Sequence, residues 1–315
     1  MKTRSFAVAQ DDMAINMKPK VLVLKTDGTN CDEELAFAFK LAGGDPEIVH
    51  VNELRTNPPA HSGLSPSGSK TGGEKLNNYE ILAIPGGFSY GDDVVSGKIL
   101  AIELTSFFSE ELKKFIKRKN TLIIGVCNGF QVLIRTGLLP FGKIGKMDAT
   151  LTNNDSGHFE CRWINLKIDQ KNNCVFLKNV ITSDGGRLIL SEVEGEAMTP
   201  PRWTSNEIVS YQVAHGEGKF FASNETIKTI EQSNLVVFRY VNNNGKPTQE
   251  YPQNPNGSLN AIAGICDPSG RILGLMPHPE RFTQKEHHPN WRRLNIERPQ
   301  GLPIFENMIK YVKKT

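Results

Sequence analysis

Cys127 stands between two glycines in Gly125-Val126-Cys127-Asn128-Gly129, and far along the chain His278 and Glu280 stand two apart in Pro277-His278-Pro279-Glu280-Arg281. A glycine two places before and two after a nucleophile is the pattern of a nucleophile elbow, where small neighbours let the chain fold sharply and lift one side chain above a sheet edge. Here that side chain is a thiol, and at the first turn of a helix it meets the positive end of the peptide dipoles, which favours thiolate. Most isolated cysteines are small buried hydrophobes; the flanking glycines argue against that reading of Cys127. A thiol nucleophile needs a base that takes its proton and returns it to a leaving amine, work for which histidine is best matched near neutral pH. His278 is the strongest of seven candidates. Prolines on both sides are expected to hold its backbone extended, so that Glu280 reaches the far ring nitrogen, fixes the tautomer and stabilises the charged ring.

Such a triad also needs donors for a developing oxyanion. Gly86-Gly87-Phe88 follows a short apolar run, and backbone N–H groups there can approach a substrate without obstruction by a Cβ at either glycine. The amide after the nucleophile, that of Asn128, is the expected second donor. A Gly-Gly alone is more often a plain turn.

The elements that must position these groups alternate. Lys20 begins a strand (VLVLK), and a helix over about Cys31 to Leu41 and a strand at Glu47 to Val51 follow. ILAIP (81–85) is a buried strand, a long amphipathic helix spans about Lys98 to Lys117, and Leu122 to Val126 leads into the elbow and a helical pattern. Alternation of this kind predicts βαβ units and a mainly parallel open sheet. Two βα turns then open at the same edge, where ligands of such sheets bind, between Gly87 and Cys127. After Asp148 the chain turns β-rich, with strands expected at 158–168, 208–213, 235–241, 259–265 and 271–276, and a closing helix over about Pro303 to Lys313. Residues 1–17 read as a disordered tail, and 18–315 as one domain with surface insertions near 57–73 and 181–206.

Composition excludes several classes. A net charge of +3 argues against nucleic acid. Five scattered cysteines without a CxxC pair suggest neither a disulfide framework nor a zinc cluster. No apolar run is long enough for a membrane span and no signal-peptide core is present, so a cytoplasmic protein is expected. None of the glycine-lysine pairs is followed by Ser or Thr, so there is no Walker A loop, and no GxGxxG follows a strand. His287-His288 reads as a solvent-facing pair in a polar loop, and no metal site is expected.

GVCNGFQ (125–131), GGFSYGDD (86–93), HGEGKF (215–220) and PHPER (277–281) together resemble the class I glutamine amidotransferases, and among them the glutaminase subunits of phosphoribosylformylglycinamidine synthases. The likeness runs from about Lys18 to the C-terminus. It implies a flavodoxin-like α/β fold with helices on both faces of the sheet. It also implies hydrolysis of glutamine through a cysteine thioester, with ammonia passed to a separate synthase in purine biosynthesis. The cofactors, ATP and magnesium, would belong to that synthase and none to this chain; a small bridging subunit would be a further partner. Cys127, His278 and Glu280 would be the triad, Gly87, Phe88 and Asn128 the oxyanion hole, and Gln131 and His215 would line the glutamine pocket or brace it. His158 stands where the resemblance leads one to expect arginine. Two other readings are a cysteine hydrolase of the peptidase or DJ-1 kind on a related fold, and a catalytically silent binding subunit.

Overall fold

The structure is a computed structural model that describes residues 18–54, 76–177, 208–294, 296 and 298–315. The expectations for residues 1–17, 57–73 and 181–206 lie outside the described residues.

In chain order the first half gives β1 (Lys20–Lys25), α1 (Asp32–Leu41), β2 (Asp45–His50), the single turn α2 (Val51–Leu54), β3 (Ile81–Ile84), α3 (Lys98–Phe107), α4 (Ser109–Lys117), β4 (Leu122–Val126) and α5 (Asn128–Arg135). The second half adds β5 (Ala149–Thr152), β6 (Glu160–Ile168), β7 (Ile208–His215), β8 (Lys219–Ala222), α6 (Asn224–Gln232), β9 (Val236–Tyr240), β10 (Ile262–Cys266), β11 (Ile272–Leu275) and α7 (Leu302–Lys314).

Among the described residues these strands form a nine-stranded sheet in the order β2-β1-β3-β4-β11-β10-β9-β6-β7, with β5 and β8 as a separate antiparallel pair. From β2 to β11 every pairing is parallel, in the flavodoxin-like order. From β11 to β7 every pairing is antiparallel. β3, β4 and β11 are apolar and buried at every position, as the centre of a sheet covered on both faces requires. The register Leu275↔Val126 brings the ends of β4 and β11 side by side. The residues that follow them, Cys127 and Met276-Pro277-His278, therefore leave the sheet at one point.

Two expectations change. The long helix over 98–117 is two helices, α3 and α4, divided at Phe108 (φ −122°, ψ 14°). Thr105 Oγ1 donates to the Ala101 carbonyl at 2.8 Å near the end of α3, while Glu110 and Glu111 set negative charge against the first turn of a new helix. The β-rich second half also contains a helix the strand pattern did not reveal, α6, started by Ser223, whose hydroxyl accepts from the Thr226 amide at 3.2 Å.

Candidate active site

The elbow is built as its glycines demand. A Cβ on Gly129 would fall 2.0 Å from the Ile84 carbonyl oxygen, and one on Gly125 would fall 2.5 Å from the Gly129 carbonyl oxygen. Only bare backbone lets α5 settle this closely on β3 and β4. Cys127 itself takes φ 52°, ψ −106°, which costs a non-glycine residue roughly 1–3 kcal/mol. Its amide donates to the Leu275 carbonyl at 2.8 Å, and its carbonyl accepts from Phe130 and Gln131 at 2.9 and 3.1 Å. Behind it Phe130, Val132, Leu133 and Ile134 are wholly buried. At roughly 1.5–3 kcal/mol for each such side chain, that burial outweighs the strain at the elbow.

His278 leaves β11 beside this turn and is held by its own amide, which donates to the Gln212 carbonyl of β7 at 2.8 Å. The proline after it does not keep the chain extended, as expected; Pro279 opens a 3-10 turn over Pro279–Phe282, its ring occupying the first helical position where no amide is required. That turn, rather than an extended run, carries Glu280 back under the ring. His278 Nδ1 and Glu280 Oε1 are 2.5 Å apart, with side chains 1% and 0% exposed. Burial pushes His278 down, but the Glu280 carboxylate, and after it the Cys127 thiol as it ionises, raise it to about 10. The ring thus holds its proton at neutral pH.

Gly86 is the point on which the site converges. A Cβ there would meet His278 Cε1 at 2.8 Å and Cys127 Cβ and Cys31 Sγ at 3.3 Å each. Gly87, at φ 121°, sits against Asn30. Its amide and that of Asn128, at the first position of α5, have no backbone acceptor among the described residues, whereas the Phe88 amide donates to the Gly28 carbonyl at 3.0 Å. Two of the three expected oxyanion donors are therefore open in this conformation, and the third is engaged by the loop after β1. The Phe88 ring, 44% exposed, stacks with Phe159 at a centroid distance of 6.3 Å and borders the site.

Gln131 and His215 are both buried and held by hydrogen bonds to neighbouring loops. Gln131 Nε2 donates to the Glu217 carbonyl at 2.6 Å and its Oε1 accepts from Asn128 at 3.0 Å, tying α5 to the loop after β7. His215 is 3% exposed, with Nδ1 3.0 Å from Asn154 Oδ1. Burial, helped by the charge on His278, lowers it to about 3, so it stays neutral. His158 is exposed. Of the pair expected to face solvent, His288 does not; it is buried against Trp163, ring centroids 4.5 Å apart.

Sequence reasoning missed Cys31, Asn30 and Arg281. Arg281 Nη2 donates to Cys31 Sγ at 3.1 Å and Nε to Glu34 at 3.4 Å. Cys31 reaches the triad because β1, like β4 and β11, ends at this edge of the sheet.

Residues 18–210 and 202–312 match the CobB/CobQ-like glutamine amidotransferase domain. The phosphoribosylformylglycinamidine synthase subunit PurQ of Dehalococcoides mccartyi is 41% identical over 94% of this chain and 99% of its own length. The chain belongs to the PurQ family of glutamine amidotransferases. Another member of the PurQ family, from Treponema denticola, is 38% identical over 84% of this chain and 88% of its own. A solved structure, that of PurLQS from Thermotoga maritima, aligns with a TM-score of 0.60 at 26% identity, covering 94% of this chain and 99% of that one. The PurQ family likeness thus spans both the parallel half that carries the elbow and the antiparallel half that carries His215.

Proposed function

We propose that this chain hydrolyses glutamine at Cys127 and supplies the ammonia to a separate ATP-using synthase subunit, which converts formylglycinamide ribonucleotide to formylglycinamidine ribonucleotide in purine biosynthesis. The observation that carries the chemistry is the meeting of Cys127 and the His278–Glu280 pair around Gly86. The relatives named phosphoribosylformylglycinamidine synthase subunits, matched over nearly their whole length, support the pathway and the partner. They also leave the peptidase-like alternative without support.

The Cys127 thiolate attacks the carboxamide carbon, and the oxyanion forms against the amides of Gly87 and Asn128. His278, already protonated, gives its proton to the nitrogen as the C–N bond breaks, and ammonia departs. Water then attacks the glutamyl thioester, His278 takes the proton of that water, and the thiolate leaves with glutamate as product. Glu280 holds the ring in the tautomer that presents Nε2 to the thiol. Glutamine is the substrate; ATP and magnesium belong to the synthase subunit, and a small bridging subunit completes the assembly. The reading places the chain in the cytoplasm, and no helix among the described residues is long and apolar enough to cross a membrane.

A glutaminase working alone wastes glutamine, so turnover is low in the isolated chain and rises when the synthase docks. Ammonia release from glutamine, measured with and without the synthase subunit, tests this; equal rates in both, or none in either, would overturn it.

A further inference from the structure

Cys31 has no part in the reaction, yet its sulfur lies in the wall of the site. One donor atom each from Cys31, His278 and Glu280 lie within 4.8 Å of one another, and all three residues are buried. The second oxygen of the carboxylate, Glu280 Oε2, is buried without a hydrogen-bond partner, as is His278 Nε2. Nε2 has a use in the proton transfers to the leaving nitrogen and from the attacking water. Oε2 has none, and a buried carboxylate oxygen left unpaired is destabilising.

The geometry points to an inhibitory site for a thiophilic divalent cation, zinc being the archetype, held by the Cys31 thiolate, the His278 ring and the Glu280 carboxylate. Sulfur, imidazole nitrogen and carboxylate oxygen are the zinc donor set, and three protein ligands leave a fourth position open. Bonds of about 2.0–2.3 Å place tetrahedral donors about 3.3–3.8 Å apart, so the cluster closes by about 1 Å to grip an ion. The charges balance: thiolate and carboxylate together neutralise the cation among three buried side chains. Burial, and after it the Glu280 charge, raise the Cys31 thiol well above its ordinary range against the opposing pull of Arg281, 3.1 Å from Sγ, so the ion itself must displace the thiol proton. On binding, the thiol proton and the proton shared by His278 and Glu280 pass to solvent. His278 can then neither give nor take a proton, and turnover stops until a chelator removes the ion. The donors come from the loops after β1 and β11, which is why no metal-binding spacing appears in the sequence.

The regulatory half of this inference rests on the glutaminase reading, while the binding half does not, and the experiment separates them. Zinc alone is titrated into the full-length Cys127→Ala protein, with and without Cys31→Ser, and cobalt(II) replaces it to report a thiolate-to-metal charge-transfer band. Other cysteines are common to both proteins and cancel. Cys127→Ala should bind one ion with the band present, and the double variant should bind at least about 100-fold more weakly, since even partners that only support a ligand contribute 10–100-fold. Equal affinity of the two proteins, or no stoichiometric binding by Cys127→Ala, overturns the site. Docking of the synthase subunit by both proteins confirms that they are folded. In glutaminase assays zinc should inhibit the wild-type chain at least about 100-fold more strongly than Cys31→Ser, relative to each protein's own uninhibited rate. Equal inhibition would place the ion on Cys127 and His278 alone and contradict the proposal. Should Cys31→Ser lack turnover, the binding comparison decides; absence of turnover in the wild type would sink the glutaminase reading and leave the binding result standing.

Discussion

His278 Nδ1 and Glu280 Oε1 face each other at 2.5 Å on a buried 3-10 turn that Pro279 opens. The carboxylate reverses what burial alone would do to the ring. With the folded-state value raised from 6.5 to about 10, His278 contributes stability that is fully present below about pH 6.5 and is lost as pH rises through about 10.

Glu280→Gln removes the larger of the two charges that raise the ring and leaves burial opposed by Cys127 alone, so the ring loses its proton at a lower pH. We expect kcat to fall by about 10²–10⁴-fold. The alkaline limb of the pH–rate profile, set near 10 in the wild type by His278, should move toward neutrality. A pH–rate profile that keeps its wild-type alkaline limb would count against the pairing.

Gly86→Ala separates chemistry from folding. The added methyl would lie 2.8 Å from His278 Cε1 and 3.3 Å from Cys127 Cβ. The neighbours are side chains that can yield, so the cost to stability is about 1–3 kcal/mol, while glutaminase activity drops by about 10²-fold or more through displaced reacting groups. Thermal melting and ammonia release on the same preparation check both.

Gly129→Ala behaves otherwise. Its methyl would be placed 2.0 Å from the Ile84 carbonyl oxygen, a backbone atom in the central sheet. α5 must lift from β3, and the protein should fail to accumulate in soluble form. A folded, active Gly129→Ala protein would mean that the elbow is looser than its contacts imply.

His215 gives a second pH dependence of opposite sign. Its folded value, lowered to about 3 from 6.5 by burial and then by His278, means that its contribution is present above about pH 6.5 and is lost as pH falls toward 3. The urea midpoint of the wild type should decline across that window, and His215→Gln, which keeps a polar side chain without the titration, should decline less steeply.

Much of this is legible in the sequence. Gly125 and Gly129 announced the elbow because close backbone approach leaves glycine no substitute, and β3 and β4 announced a covered parallel sheet by being apolar throughout. His278 and Glu280 were found from their spacing, but for an incomplete reason: the first proline restrains His278, and the second starts a turn that an extended reading does not contain. The division at Phe108 was hidden because the apolar positions of α3 and α4 continue one rhythm across it. Cys31 and Arg281 were missed because their meaning is tertiary. They meet the triad only because β1 and β11 end at one edge of the sheet, and no local pattern in Thr29-Asn30-Cys31-Asp32 records that. Gln131 and His215 make hydrogen bonds to Glu217 and Asn154 that join partners 86 and 61 residues apart, which no local pattern shows.

The central claim is that Cys127 forms the covalent bond to glutamine. Ammonia release by Cys127→Ala in the presence of the synthase subunit tests it most directly. Activity should fall by at least about 10⁴-fold with the protein folded and still able to dock, as on removal of a nucleophile from a triad elsewhere. Turnover near the wild-type rate would contradict it.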